Sequence, residues 1–147
     1  MPARMPSKQT IKRAKQDKAE GKSGSTQAGE FVREEMHHIR EGKHGARSAK
    51  QAIAIGLSKA RRAGVEVEPG PGASAQVRHK AAQDSAHAGQ KPNPRRAKAS
   101  ERALKDEPRA AASHLALSRH AHAAAAKGRK SKSTKARPRK AARRKAA

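Results

Sequence analysis

The large apolar side chains of this chain are few, and most of them lie in one short stretch. Leu, Ile, Val and Phe number 13 in 147 residues, and charged chains with less than about 20% of these four residues tend to be disordered. With methionine included, nine of the 16 large apolar residues fall between residues 28 and 68. The other apolar residues are alanines, which bury too little area to offset the entropy of ordering a whole domain. We therefore predict one small folded module rather than a conventional globular domain.

The first half of this module, "TQAGEFVREEMHHIREG", has the period of an amphipathic helix. Val32, Met36 and Ile39 recur at spacings of three and four residues. Ser25 or Thr26 can cap the start of the helix, and the final glycine can end it.

The second half, "SAKQAIAIGLSKARRAG", predicts another helix. Ser48 and Gln51 form a capping box, and Gly64 is a stop signal. Ile53 faces the first helix, whereas Ile55 lies about 200° further around the axis and points away from it. The alternating "VEVE" that follows predicts a short strand or an extended arm.

Two residues do not fit a simple pair of helices. Ile55 projects from the outer face, and Glu35 lies inside the apolar stripe of the first helix. One interpretation is a second contact surface, most simply another copy of the module in a homodimer. The other is an exposed isoleucine and a glutamate that reaches the rim; the sequence leaves both open.

The rest of the chain is basic and poor in apolar residues. Residues 128–147 carry ten basic and no acidic groups, within a net charge of +24. We predict an all-α fold, a small helix-loop-helix hairpin flanked by largely disordered or transiently helical basic arms. The predicted segments are a basic N-terminal arm (1–24) with a short basic helix around Ile11, the helix-loop-helix module (25–68), an alanine-rich linker with transient helices, including one capped by Ser100 (69–127), and a disordered polybasic tail (128–147).

The run "GKHGARSAKQAIAIGLSKARRAG", preceded by an acidic helix and a lysine-rich N-terminus, resembles a family of short, basic, largely uncharacterised bacterial proteins. Members of that family are often labelled plasmid stabilization or DNA-binding proteins. The resemblance covers about residues 8–68 and implies little chemistry beyond that label. The C-terminal half resembles the tail of a linker histone in composition only.

Catalytic and metal-binding motifs are weak in this sequence. Without a core that could align Ser, His and Asp, no catalytic triad is predicted, and we expect no enzyme activity. The pairs Glu34–His38 and His37–Glu41 are four residues apart, but two ligands make a weak metal site. We therefore expect the eight histidines to lie on the surface, with no metal and no cofactor.

Nucleic-acid binding is the strongest functional signal. Lysine and arginine release counterions from phosphates, which requires positive charge and reach rather than a pocket. Trp and Tyr are absent and the single Phe belongs to the predicted core, so platforms for stacking single-stranded bases are missing. The candidate phosphate-binding residues are Lys12, Arg13, Lys15, Lys43, Arg47, Lys50, Lys59, Arg61, Arg62, Arg129, Lys130, Lys132, Lys135, Arg137, Arg139, Lys140, Arg143, Arg144 and Lys145.

These features favour a DNA-compacting or accessory protein that binds duplex DNA with little sequence specificity. The alternatives are an RNA- or ribosome-associated protein, a sequence-specific DNA-binding regulator, and a protein that binds an acidic partner or a membrane surface. The sequence begins without the apolar run of a secretory signal and contains no stretch able to span a bilayer. We therefore expect a cytoplasmic, nucleoid-associated protein that is not inserted in a membrane.

Overall fold

The computed structural model describes residues 5–135, with side chains for residues 5–129. These residues form helices and no β-strand, so the prediction of an all-α chain is confirmed. In chain order the elements are α1 (Lys8–Ala19), α2 (Gly24–Arg40), α3 (Ala49–Arg62), α4 (Ala75–Ala86), α5 (Pro94–Lys105), a 3₁₀ turn (Arg109–Ala112) and α6 (His114–Lys135).

The first five helices each begin after a residue whose side-chain oxygen accepts a backbone N–H of the first turn. These caps are Ser7, Ser23, Ser48, Ser74 and Asn93. The prediction for Ser48 is confirmed, but the cap of α2 is Ser23 and not Ser25 or Thr26. Ser23 accepts from the Thr26 N–H, which places both predicted caps inside the first turn.

The predicted ends of α2 and α3 are confirmed. Gly42 and Gly64 have φ of +73° and +88°, a left-handed conformation that glycine adopts without strain at the end of a helix. The segment after Gly64 forms neither a strand nor a free arm. Val65 is instead buried, because the chain turns back onto the helices there.

Helices α2 and α3 pack closely because alanine and glycine line their contact. A Cβ atom on Gly56 would lie 2.7 Å from Cα of Val32, so only glycine permits this approach. Ile53 packs against a cluster that includes Met36 and Ile39, as its position on the helix predicts.

The α2–α3 pair does not stand alone as a hairpin, since other elements cover both of its ends. One cluster joins α1 to the pair and contains Ala14, Ala28, Phe31, Ala60 and Val65, with Ile11, Leu57 and Val67 at its edge. The other joins the 3₁₀ turn and α6 to it and contains Met36, Ile39, Ala46, Ala52, Ala111 and Ala112, with Val32, Ile53 and Leu117 at its edge. Alanine contributes little area per residue, but its small size lets several backbones meet around the few large side chains.

The arms contain more helix than largely disordered arms would. The short basic helix predicted around Ile11 is present as α1, with Ala14 buried, and the segment predicted as a linker contains α4, α5 and the 3₁₀ turn. Helix α5 begins after Asn93-Pro94, a stronger start signal than Ser100. The predicted disordered tail continues as α6 up to Lys135, and residues 136–147 lie outside the described residues.

Ile55 faces a groove formed within the same chain. With residues of α4 and α5, including Val77 and Leu104, it lines this groove of about 710 Å³ beside α3. Ile55 is half-buried, and the homodimer stays a prediction.

Candidate functional site

Glu35 lies in the interior with charged partners, contrary to both interpretations of the sequence. Its side chain is fully buried. Lys59 Nζ donates to Glu35 Oε2 at 2.5 Å, and His44 Nε2 lies 2.9 Å from Glu35 Oε1. The carboxylate therefore neither reaches the rim nor meets a second chain.

Three different segments supply this cluster. Glu35 comes from the middle of α2, Lys59 from the last turns of α3, and His44 from the loop between them. The loop is held from outside by two backbone hydrogen bonds, from Gly45 N to Leu104 O (2.7 Å) and from Ala46 N to Pro108 O (3.1 Å). The position of His44 thus depends on the last turn of α5 and on the segment after it, far along the chain.

The environment shifts the pKa values of the two acid–base partners in opposite directions. Burial alone would raise the pKa of Glu35, but contact with His44 and the positive charge of Lys59 outweigh it and lower that pKa. The Glu35 carboxylate raises the pKa of His44 above its ordinary value, although burial opposes this. Glu35 is therefore held as a carboxylate.

His38 lies on the same face of α2 as Glu35 and is also buried, at 8% exposure. Its ring meets the ring of His44 edge to face, with centroids 6.2 Å apart. Burial, followed by the charge of Lys59, lowers the pKa of His38. The expectation of surface histidines is wrong for His38 and His44.

Three buried side chains could together hold a metal ion: Glu35, His38 and His44. Each offers one ligand atom, and these three atoms lie within 4.8 Å of one another. This group was not predictable from residue spacings within one helix, because His44 reaches the cluster from a loop whose course no local pattern predicts.

Two of the predicted phosphate-binding residues are buried and bonded to groups within the fold. Lys59 is 6% exposed and bound to Glu35, and Arg61 is 7% exposed and donates from Nε to the Val67 carbonyl at 2.8 Å. We withdraw both from the candidate interface. Arg62, the next residue, is half-buried.

The other predicted cations with described side chains are exposed. Lys12, Lys15, Lys50 and Arg129 have no carboxylate within 4.0 Å among the described residues. Three others have carboxylate neighbours: Arg13 beside Glu30 (3.6 Å), Lys43 beside Glu41 (2.6 Å) and Arg47 beside Glu107 (3.8 Å). Lys130, Lys132 and Lys135 lie on α6, and the six from Arg137 to Lys145 lie outside the described residues.

Helix α5 carries a basic face whose residues were not among the predicted phosphate-binding residues. Arg95, Lys98, Arg102 and Lys105 are spaced three or four residues apart, so they share one side of the helix. All four are exposed, and of them only Lys105 has a carboxylate, that of Glu101 at 4.0 Å, within reach among the described side chains. We call these four residues the α5 stripe.

Helix α1 carries a similar but smaller face, made of Lys8, Lys12 and Lys15. These lysines are exposed and have no carboxylate within 4.0 Å in the described part of the chain, while Ala14 is buried. We call these three residues the α1 stripe.

Most carboxylates are already neutralised within the fold. Seven of the 12 lie within 4.0 Å of a lysine or arginine nitrogen: Asp17, Glu20, Glu30, Glu35, Glu41, Glu101 and Glu107. From residue 108 to the end of the sequence there is no acidic residue. The exposed cations of the two stripes and of α6 therefore face solvent with little compensating charge.

Comparison of the chain with known protein families, with curated proteins and with solved structures finds no match. Within residues 5–135, no helix has both the length and the apolar character required to cross a bilayer.

Proposed function

We propose that this protein is a non-enzymatic nucleic-acid-binding protein that binds duplex DNA through its phosphates with little sequence specificity. The observation that carries the proposal is the α5 stripe, a row of exposed cations on one face of a helix. Such a row suits a regular line of phosphates, and each contact that neutralises a phosphate releases counterions. The α1 stripe and the acid-free C-terminal region add positive charge of the same kind.

Duplex rather than single-stranded nucleic acid is favoured by the absence of stacking groups. Phe31 is the single aromatic side chain of the Phe, Tyr and Trp type in the sequence, and it is 1% exposed. Proteins that bind single strands generally stack bases on exposed aromatic rings. With this choice we also propose a nucleoid-associated accessory role in the cytoplasm, as the expected resemblance of residues 8–68 to proteins labelled plasmid stabilization or DNA-binding implies.

A variant of the α5 stripe tests this proposal. Arg95→Gln/Lys98→Gln/Arg102→Gln removes three cations without touching a buried side chain, and circular dichroism checks that helix content is retained. Fluorescence anisotropy with a labelled random-sequence duplex gives the affinity as a function of salt. We expect weaker binding, and a salt slope that is flatter by about 2 to 3, since each lost phosphate contact removes about 0.9.

The matched control removes the same charge elsewhere. Lys22→Gln/Arg33→Gln/Lys43→Gln neutralises three cations that already pair with carboxylates. We expect the slope to change by less than about 1. Equal effects of the two variants would mean that overall charge, and not the stripe, governs binding. Stronger binding to RNA than to duplex DNA in competition would favour an RNA-associated protein instead.

A further inference from the structure

The contact between His44 and Glu35 requires either a second proton on His44 or a cation between its two atoms. His44 Nδ1 lies 3.0 Å from the Gly45 carbonyl oxygen, and a carbonyl only accepts, so Nδ1 carries the hydrogen. In a neutral imidazole, Nε2 then holds a lone pair. That lone pair faces Glu35 Oε1 at 2.9 Å, and neither atom has another hydrogen-bond partner. Two acceptors at this distance need either a second proton on His44 or a metal ion between them.

The neighbouring donors are arranged for a metal ion. Glu35 and His38 are three residues apart on α2, which places both on one face of the helix. His38 Nδ1 is buried without a hydrogen-bond partner. Together with His44, these residues supply one oxygen and two imidazole nitrogens within 4.8 Å of one another. A set of two histidines and one carboxylate is typical of zinc sites with an open fourth position.

Two of the three ligands have a hydrogen-bonded outer partner that fixes their orientation, and a carboxylate lies near the third. The Gly45 carbonyl holds the His44 ring by Nδ1, Lys59 occupies Oε2 of Glu35 and leaves Oε1, and Glu34 Oε1 lies 3.7 Å from His38 Nε2. Metal-binding histidines usually have such a carbonyl or carboxylate on the second ring nitrogen.

We propose that Glu35, His38 and His44 bind one divalent transition-metal ion of the zinc type. Tetrahedral zinc ligands lie about 3.3 Å apart for bonds of about 2.0 to 2.1 Å. Oε1 and Nε2 must therefore separate slightly, and the His38 nitrogen must move inward. Movement of the α2–α3 loop, which carries His44, accommodates the first change, and rotation of the His38 side chain on α2 accommodates the second. Water fills the fourth position. The ion takes the place of the second His44 proton, and it fastens the loop to α2.

Lys59 is the group that opposes this ion. Its ammonium group contacts the same carboxylate. The positive charge of Lys59 therefore weakens the binding of a cation, while it stabilises the metal-free protein. This gives the proposal a readout that a purely structural cluster would not show. Lys59→Met should bind the ion more tightly than the wild type, by about tenfold or more, because it removes a like charge in an interior of low dielectric constant.

The test uses the full-length chain, stripped of metal with a chelator and titrated with Zn²⁺ and with Co²⁺. We expect one ion per chain, an increase in the midpoint of thermal unfolding, and the visible absorption of tetrahedral Co²⁺. His38→Gln and His44→Gln should each weaken binding at least about tenfold. His37→Gln is the control, because His37 is an exposed histidine on the same helix.

The opposite results would overturn the proposal. If the wild type binds no Zn²⁺ and no Co²⁺, the contact is a protonated ion pair. If His37→Gln weakens binding as much as His38→Gln, the ion lies on surface histidines. If His44→Gln does not fold, the other two variants decide the question. Zn²⁺ affinity equal to that of the wild type in both His38→Gln and Lys59→Met would contradict a site at this cluster. These measurements use no nucleic acid, so they stand apart from the test of the proposed function.

Discussion

Lys59 of α3 and Glu35 of α2 form an ion pair in the interior, with 6% and 0% of their side chains exposed. The pair lies where the two helices face each other, in a protein with few large apolar side chains. Buried ion pairs add little net stability over apolar residues of the same size, but removing one partner leaves an unpaired buried charge. The pair therefore fixes how α2 and α3 align more than it strengthens their association.

Removal of one partner should be costly. We expect Lys59→Met to lower the free energy of unfolding by about 3 to 5 kcal/mol in the absence of metal, and Glu35→Leu/Lys59→Met to lower it by clearly less. Urea denaturation followed by circular dichroism measures both variants. A double variant that is less stable than Lys59→Met would contradict the view that the unpaired carboxylate causes the loss.

The local signals in the sequence predicted the ends of elements better than their contacts. Ser48, Gly42 and Gly64 mark boundaries of α2 and α3 correctly, because capping and left-handed glycine are properties of a few neighbouring residues. Long-range placement was not predictable in the same way. The course of the α2–α3 loop depends on backbone hydrogen bonds to Leu104 and Pro108, about 60 residues further along.

Composition also underpredicted the extent of ordered structure. The small number of large apolar residues indicated a lone hairpin, yet Ala111 and Ala112 are 5% and 0% exposed against α2. Arg40 Nε donates to the Ala112 carbonyl at 3.0 Å and secures that contact. An alanine-rich segment can thus pack where its backbone approaches a helix closely, which a count of large apolar residues does not register.

Two glycines within helices should respond in opposite ways to alanine. At Gly56 a Cβ atom would lie 2.7 Å from the Val32 backbone, whereas at Gly29 nothing lies within 4 Å. We expect Gly56→Ala to destabilise the protein by about 1 to 3 kcal/mol through overpacking. Gly29→Ala should stabilise it by up to about 1 kcal/mol through helix propensity. Chemical denaturation of both variants checks the pair, and a neutral Gly56→Ala would show that α2 and α3 can separate freely.

The contribution of His44 to stability should depend on pH in the metal-free protein. Because contact with Glu35 raises the pKa of His44 above 6.5, the folded state holds this proton more tightly than the unfolded state does. The stabilisation that His44 provides is complete below pH 6.5. It is lost as the pH rises through the raised pKa of His44. With chelator present, the stability difference between wild type and His44→Gln should therefore be larger at about pH 6 than at about pH 9. A His44 difference that grows with pH would contradict the assignment.

The C-terminal region should contribute affinity without specificity. Deletion of residues 128–147 removes ten of the 36 basic residues, so we expect weaker binding to every duplex and a flatter salt slope, by about 0.9 for each lost phosphate contact. The loss should be the same for two unrelated sequences. Loss of affinity for one sequence alone would assign a base-reading role to this region.

Salt dependence of binding to two unrelated duplexes tests the central claim most directly. Anisotropy titrations of the full-length protein between about 50 and 200 mM salt give the slope of log affinity against log salt. With two exposed stripes of seven cations in total, we predict a slope steeper than about −4 and affinities for the two duplexes within about threefold of each other. A slope near zero would contradict binding through phosphates. A preference of about a thousandfold or more for one duplex would identify a sequence-specific protein instead.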